Sequence, residues 1–352
     1  MDYDVELNDL IMTLVKEGGS DIHFTVGAFP TLRINSELVP LTRKTELTPE
    51  DTVGYLRAMI SEKMFTDFVV KQELDFSYEH AQEYRLRGNA SFQRGVISIA
   101  LRLIPKIRNI QELNLPPQIA EMSRKKQGFF LVVGPVGQGK STTIAAMVSL
   151  INDESKRHIV TVEDPIEFRY DQGKSIIEQR EVGLDTADFE SALRHAFRQD
   201  MDVIMIGEMR DRETISIAVT AAETGHLVLS TLHTNSAAQT IDRIIDSFPH
   251  DQQNQIRIQL SATLLGVFSQ RLLPRISGGM IPAYELLVNT PAVANLIREG
   301  RTQEIDVLIE TGTEQGMIDL DRNLAELVRR GDVLKDTAKM HARRANLFDR
   351  IV

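Results

Sequence analysis

Gly134-Pro135-Val136-Gly137-Gln138-Gly139-Lys140-Ser141 fits the pattern G-x-x-x-x-G-K-[ST] without a mismatch. It follows the apolar run Phe129 to Val133 and leads into a helix-like stretch beginning near Lys140, which is the strand, loop and helix context the pattern requires. Glycines let the backbone wrap around phosphates so that its N–H groups point inward, and the helix N-terminus adds partial positive charge. Residues Gly134 to Ser141 together with Thr142 are therefore expected to hold ATP. Lys140 would neutralise the β and γ phosphates, and the Ser141 hydroxyl would ligate Mg²⁺. A chance glycine-rich loop is the competing reading, and the flanking strand and helix argue against it.

Outward from this loop, short β-rich apolar runs at 129–133, 158–162, 203–206 and 227–230 alternate with helical stretches at 140–152, 186–199 and 211–224. Such alternation predicts a mainly parallel sheet with helices on both faces, and ligands of open parallel sheets bind outside the carboxyl ends of the strands. The strand ends here carry suitable groups. His158 to Val162 runs into Glu163-Asp164-Pro165, where Glu163 is placed to orient or deprotonate an attacking water. Asp202 to Glu208 is a hydrophobic strand closing on an acid, so Glu208 is expected to hold Mg²⁺ through water, with Arg210 and Asp211 directly after it. A surface turn is the alternative for Glu163-Asp164-Pro165, and a solvated turn for Arg210 and Asp211. His226 and His233 flank the run 227–232 with no third ligand at metal spacing, which argues against zinc.

The 352 residues suit about two domains, and the division is visible in the pattern. Residues 2–17 have helical spacing up to Gly18-Gly19; strand-like runs follow at Ile22 to Val26, Thr31 to Ile34 and Ile97 to Leu103, with an amphipathic segment near 49–72. This reads as an α+β domain over 1–105. Pro105 and Pro116-Pro117 bracket a linker at 106–117, and 118–352 forms the second domain. From about 251 onward the chain reads as mostly helical, with periodic stretches at 251–272, 290–300 and 318–331. The absence of cysteine excludes disulfides and thiolate chemistry. No apolar run approaches the roughly 20 residues of a membrane helix, and nothing at the N-terminus resembles an export signal, so a soluble cytoplasmic protein without membrane insertion is expected. A net charge of −10 argues against bulk attraction to nucleic acid.

Taken together, GPVGQGKST (134–142), VEDPIEF (162–168), IGEMRD (206–211) and TGHLVLSTLHT (224–234) resemble the Walker A, aspartate-box, Walker B and histidine-box motifs of secretion ATPases. GGSDIHF (18–24), EQREVGLDT (178–186), IDRIIDSFP (241–249) and ANLIREG (294–300) extend the resemblance over nearly the whole chain, towards the PilT/PilU family of type IV pilus retraction ATPases. The resemblance implies an α/β fold: a RecA-like P-loop ATPase domain, a smaller N-terminal PAS-like α+β domain and a helical C-terminal region. It further implies a homo-hexamer with nucleotide between the two domains, completed by arginines of a neighbouring subunit at the positions of Arg85, Arg87 and Arg94. Glu163 takes the role of general base, and His226 and His233 that of γ-phosphate sensing. The implied work is pilus retraction, through contact with an inner-membrane platform protein at the cytoplasmic face of the membrane, alone or beside a paralogous retraction ATPase. The family usually reads AIRNLIR where this chain has Ala292-Val293-Ala294-Asn295-Leu296-Ile297-Arg298, and the lost first arginine leaves open whether the subunit powers retraction alone or acts as an accessory. Asp200-Met201-Asp202 replaces the common D-P-D before its strand, with little expected effect on the chemistry.

Three other functions compete. A pilus-extension or type II secretion ATPase would share the four boxes but commonly carries a four-cysteine zinc element, which this chain lacks. A RecA-like nucleic-acid motor needs clustered basic residues and stacking aromatics, and only 6% of these residues are aromatic. A slow nucleotide-sensing switch would not need Lys140, Glu163 and Glu208 all intact.

Overall fold

A computed structural model describes residues 2–34, 37–81, 84–104 and 106–352. Pro105, which with Pro116-Pro117 brackets the expected linker, lies outside the described residues. The chain divides into two compact units, Met1–Lys106 and Ile107–Val352.

The first unit begins with helix α1 (Tyr3–Lys16), whose Leu7, Leu10, Ile11 and Leu14 are buried at helical spacing and whose N-cap Asp2 accepts from the Val5 amide. Strands β1 (Asp21–Phe24), β2 (Thr31–Ile34) and β3 (Glu37–Pro40) follow. Helices α2 (Pro49–Met59) and α3 (Glu62–Lys71) occupy the amphipathic segment, and a Thr48–Asp51 capping box starts α2. Strands β4 (Glu73–His80), β5 (Tyr84–Gln93) and β6 (Val96–Ile104) complete an antiparallel sheet of order β3-β2-β1-β6-β5-β4. Along β5, Leu86, Gly88 and Ala90 are buried while Arg87 and Asn89 are exposed, the alternation of a sheet with one covered face. Of the six strands, the sequence pattern reveals β1, β2 and β6. The polar residues on the open face of β4 and β5 hide the other half of the sheet.

The second unit starts with helix α4 (Pro117–Ser123) and strand β7 (Gly128–Val133), all six residues of which are buried. Then come α5 (Lys140–Glu154), β8 (His158–Glu163), β9 (Ile176–Glu181), α6 (Phe189–Ala196), β10 (Val203–Ile206), α7 (Arg212–Glu223), β11 (Leu227–Leu232), α8 (Ala237–Asp246) and α9 (His250–Thr263). A hairpin of β12 (Leu264–Pro274) and β13 (Met280–Val288) follows, and the chain closes with α10 (Pro291–Glu299), α11 (Ile305–Thr311), α12 (Leu320–Arg329), α13 (Lys335–His341) and α14 (Ala345–Ile351). The sheet order is β13-β12-β7-β11-β10-β8-β9, parallel throughout except where β13 runs against β12. Helices α5 and α7 both pack on β7 and β11.

The helix expected over 251–272 ends at Thr263, and 264–272 is strand. Leu264, Val267, Phe268 and Leu273 are buried at a spacing a helix could also produce. Pairing with β7 and β13 decides for the strand, and at Gly266 a Cβ would stand 2.4 Å from the Leu287 carbonyl, so only glycine admits that close approach. The region from 251 is therefore a helix, a two-stranded hairpin and a set of short helices. Helix α6 is shorter than the expected 186–199, and β9 extends the parallel sheet beyond the four expected runs.

Candidate active site

Strand β7 delivers the chain into the glycine-rich loop at its carboxyl end, where the Gly134 amide donates to the Leu232 carbonyl of β11. Gly134, Gly137 and Gly139 have φ of +148°, +76° and +77°, a region in which L side chains are strained. Gly134 is doubly constrained, because a Cβ there would lie 2.4 Å from the Gln270 carbonyl oxygen. A Cβ at Gly137 would meet nothing within 4 Å, so the loop leaves open space there. Helix α5 begins at Lys140 behind Gly139, and no side chain caps it. Its first amides are thus available to an anion at the positive end of the helix dipole.

Around the loop lies a cleft of about 170 Å³. Lys140, Ser141, Glu163, Glu208 and His233 line it, together with the apolar walls of Phe168, Tyr170 and Phe189. Lys140 is buried, and its Nζ donates to the Gly134 and Pro135 carbonyls at 2.9 Å each, with His233 Nδ1 at 3.2 Å. Burial lowers its pKa, opposed by the nearby Glu208 and Glu167. His233 Nε2 stands 3.1 Å from Glu208 Oε1. An Nδ1 that accepts from the ammonium and an Nε2–H that donates to the carboxylate satisfy both contacts, so His233 bridges the loop lysine to the acid at the end of β10. Glu208 Oε2 in turn accepts from Arg210 Nε at 2.9 Å, and Arg210 Nη1 reaches Asp164 at 3.5 Å.

Glu163 ends β8, and 6% of it is exposed. Its Oε1 accepts from the Thr161 hydroxyl at 2.7 Å and from Gln179 Nε2 at 3.3 Å, while the Glu167 amide faces Oε2 at 3.4 Å. Burial outweighs these three donors and pushes the carboxyl up to about 7, a value suited to a group that takes a proton near neutrality. Gln179 also donates to the Phe168 carbonyl and accepts from the Tyr170 amide, so the residue that touches Glu163 also fixes the cleft wall. Tyr170 itself is raised well above the ordinary tyrosine range by burial, then by Glu163.

Not every expected residue reaches the cleft. His226 sits at the amino end of β11, one full strand away from His233, where its Nδ1 lies 3.0 Å from the Ala221 carbonyl and 3.2 Å from the Thr224 hydroxyl, and its ring packs edge-on against Phe197. His226 is thus absent from the cleft lining at the carboxyl side of the sheet, where His233 stands. Asp211 is the N-cap of α7, its carboxylate accepting from the Thr214 amide at 2.7 Å and the Thr214 hydroxyl at 3.0 Å. Thr142 follows Ser141 in the first turn of α5, and the Gln138 side chain turns to β12, where its Oε1 accepts from the Leu272 amide at 2.7 Å. Arg85 and Arg87 lie on β5 of the first unit, with Arg85 donating to Ser77 at 3.2 Å, and Arg94 forms the β5–β6 turn at φ +52° with Gly95.

Sequence reasoning missed Thr161, Gln179, Tyr170 and Gln270. Gln179 falls within EQREVGLDT (178–186), but nothing in that segment by itself points at Glu163. Among the described residues no cluster of three or more His, Asp or Glu forms a ready-made metal site. Ser141 and Glu208 on the cleft wall are the oxygen donors that suit a hard cation carried in by phosphates.

A family model described as Type II/IV secretion system protein matches residues 5–331. The chain is 40% identical over 343 residues to the type IV pilus retraction ATPase PilT of Pseudomonas aeruginosa, covering 96% of this chain and 98% of that protein. It is 41% identical to the type IV pilus ATPase PilU of the same organism, over 97% of this chain and 90% of that protein. A crystal structure of the pilus retraction motor PilT with bound ADP superposes with a TM-score of 0.91 at 44% identity, covering 97% and 98% of the two chains.

Proposed function

From the premise that this chain belongs to the Type II/IV secretion system protein family, on its PilT-like branch, we propose how its residues carry out ATP hydrolysis for type IV pilus retraction. The observation that carries the reading is the convergence on one cleft of Lys140 and Ser141, which follow β7, Glu163, which ends β8, and Glu208, which follows β10, all at the carboxyl side of the parallel sheet.

Triphosphate enters against the loop amides and the start of α5. Lys140 exchanges the Gly134 and Pro135 carbonyls for phosphate oxygens, which frees His233 to move with the ligand. Ser141, and Glu208 through water, would hold Mg²⁺, which would supply neutralisation of the developing phosphate charge. Glu163 orients the attacking water and takes its proton as the water oxygen bonds to the γ phosphorus and the bond to the β–γ bridging oxygen breaks, leaving ADP and phosphate. Its pKa of about 7 allows both capture and return of that proton. Arg85, Arg87 and Arg94 are the candidates to stabilise the transferred charge from a neighbouring subunit of a hexamer. Ring closure around successive sites would act on an inner-membrane platform protein. No helix among the described residues is long and apolar enough to cross a membrane, so that contact is peripheral in this reading.

A second reading, an accessory motor beside a paralogous retraction ATPase, is favoured by Ala294, which replaces the first arginine of the usual AIRNLIR motif. Deletion of the gene, with surface pili counted and motility scored, separates the possibilities. A sole retraction motor leaves excess pili that do not move the cell; an accessory leaves weakened motility. Loss of all pili would overturn retraction in favour of extension.

A further inference from the structure

Gln270, on β12, lies outside every phosphate-binding motif, yet its side chain is the structural partner of the loop. It is 2% exposed. Its Nε2 donates to the Gln138 carbonyl at 2.7 Å, and its Oε1 accepts from the hydroxyl of Thr143, a residue 1% exposed in the first turn of α5, at 2.6 Å. One amide group therefore ties the glycine-rich loop to the helix it feeds. The Gln138 side chain returns the contact by accepting from the Leu272 amide two residues along β12. Both flanking glycines are fitted to this strand: a Cβ on Gly134 would meet the Gln270 carbonyl oxygen at 2.4 Å, and one on Gly139 would meet Gln270 Nε2 at 2.9 Å.

The consequence follows from peptide geometry. The Gln138 carbonyl and the Gly139 N–H belong to one planar trans peptide and point in opposite directions. In the sheet, β12 lies on one side of β7, while β11, β10 and β8, whose ends carry His233, Glu208 and Glu163, lie on the other. A carbonyl drawn towards β12 aims the Gly139 N–H at the phosphate side. We propose that Gln270 is a positioning residue for nucleotide binding, a clasp that locks the Gln138–Gly139 peptide in the orientation that presents the Gly139 N–H to a nucleoside diphosphate or triphosphate. The inference rests on the ATP-binding reading of the loop and adds a residue from the far side of β7 to it.

Because the Gly139 N–H meets a phosphate in ground state and transition state alike, its loss weakens binding without slowing the bound step. The test compares Gln270→Met, which keeps the volume and removes both hydrogen bonds, with wild type and Lys140→Ala, using Mg-ADP in titration calorimetry and ATP in steady-state turnover. The expected result for Gln270→Met is a Kd for Mg-ADP raised tenfold or more, a KM for ATP raised by a similar factor, and a kcat within threefold. A folded Gln270→Met with Mg-ADP affinity within twofold of wild type overturns the clasp. Should that variant fail to fold, Thr143→Val decides: it frees one arm of the amide, so a threefold or larger loss of affinity that Thr143→Ser restores supports the clasp, and unchanged affinity overturns it. If Lys140→Ala still binds Mg-ADP normally, the loop reading itself fails, which the Gln270 and Thr143 results cannot mimic.

Discussion

Replacing Glu163 by Gln changes one charge in a nearly sealed site and little else. The amide oxygen can take the place of Oε1 and keep the donors Thr161 and Gln179, and the new NH₂ replaces Oε2, which faces the Glu167 amide at 3.4 Å. Two effects follow, of opposite sign. Loss of a general base costs about 10² to 10⁴ in rate, or about 3 to 5 kcal/mol of barrier, so kcat collapses while ATP stays bound. Folding is helped. Burial lifts the carboxyl from 4.5 to about 7, and at about 1.36 kcal/mol per pH unit the ionised form destabilises the native state by about 3 kcal/mol above pH 7. Because the folded pKa is the higher one, native and unfolded states are equally protonated below 4.5, and stability then falls as pH rises towards 7. Glu163→Gln lacks this term, so it should melt higher than wild type at pH 8, with the gap shrinking to under about 1 kcal/mol by pH 5. Wild-type kcat should rise as pH increases through about 7, and the variant's residual rate should not. Stopped ATP turnover with retained nucleotide, plus thermal melts at the two pH values, checks both effects. A variant that turns over ATP at the normal rate refutes the base assignment, and a variant that melts lower than wild type at pH 8 refutes the burial argument.

Asp211→Ala should cost about 1 kcal/mol by uncapping α7 and leave turnover per folded molecule within twofold, as measured by denaturant melts alongside an ATPase assay, since both carboxylate oxygens serve Thr214. Arg343→Ala should be more damaging: Arg343 pairs at 2.7 Å with Glu285, whose side chain is 1% exposed, and removing it leaves a buried carboxylate without its counter-charge at a cost of about 3 kcal/mol. Burial already raises the Glu285 pKa against the opposing pull of Arg343, so the deficit should be smaller at pH 5 than at pH 8; equal deficits at both would contradict it.

A role is legible in the sequence when the residues that define it are neighbours along the chain. The phosphate loop is local: eight consecutive residues between a buried strand and a helix declare it. So are Glu163 and Glu208, because a hydrophobic run that stops on an acid marks a strand end. The Gln270 clasp and the Gln179 support are not, since each joins residues many positions apart through a sheet order of β12-β7 or β8-β9 that apolar periodicity does not encode. Strand β12 was hidden for the same reason. Its apolar spacing suits a continued α9, and only the partners on either side choose between the two. His226 is the converse case: the histidine-box resemblance covers both His226 and His233, yet the six-residue strand between them places them at opposite ends of β11, and His233 of the two lines the cleft.

The proposed function requires ATP to be gripped by the loop amides and Lys140 at the end of β7. The most direct measurement is ATP retention and hydrolysis by the purified chain with magnesium present, wild type against Lys140→Ala. Retention and turnover in the wild type, with both lost in the variant, is the predicted result. Equal binding and turnover in the two proteins would contradict it.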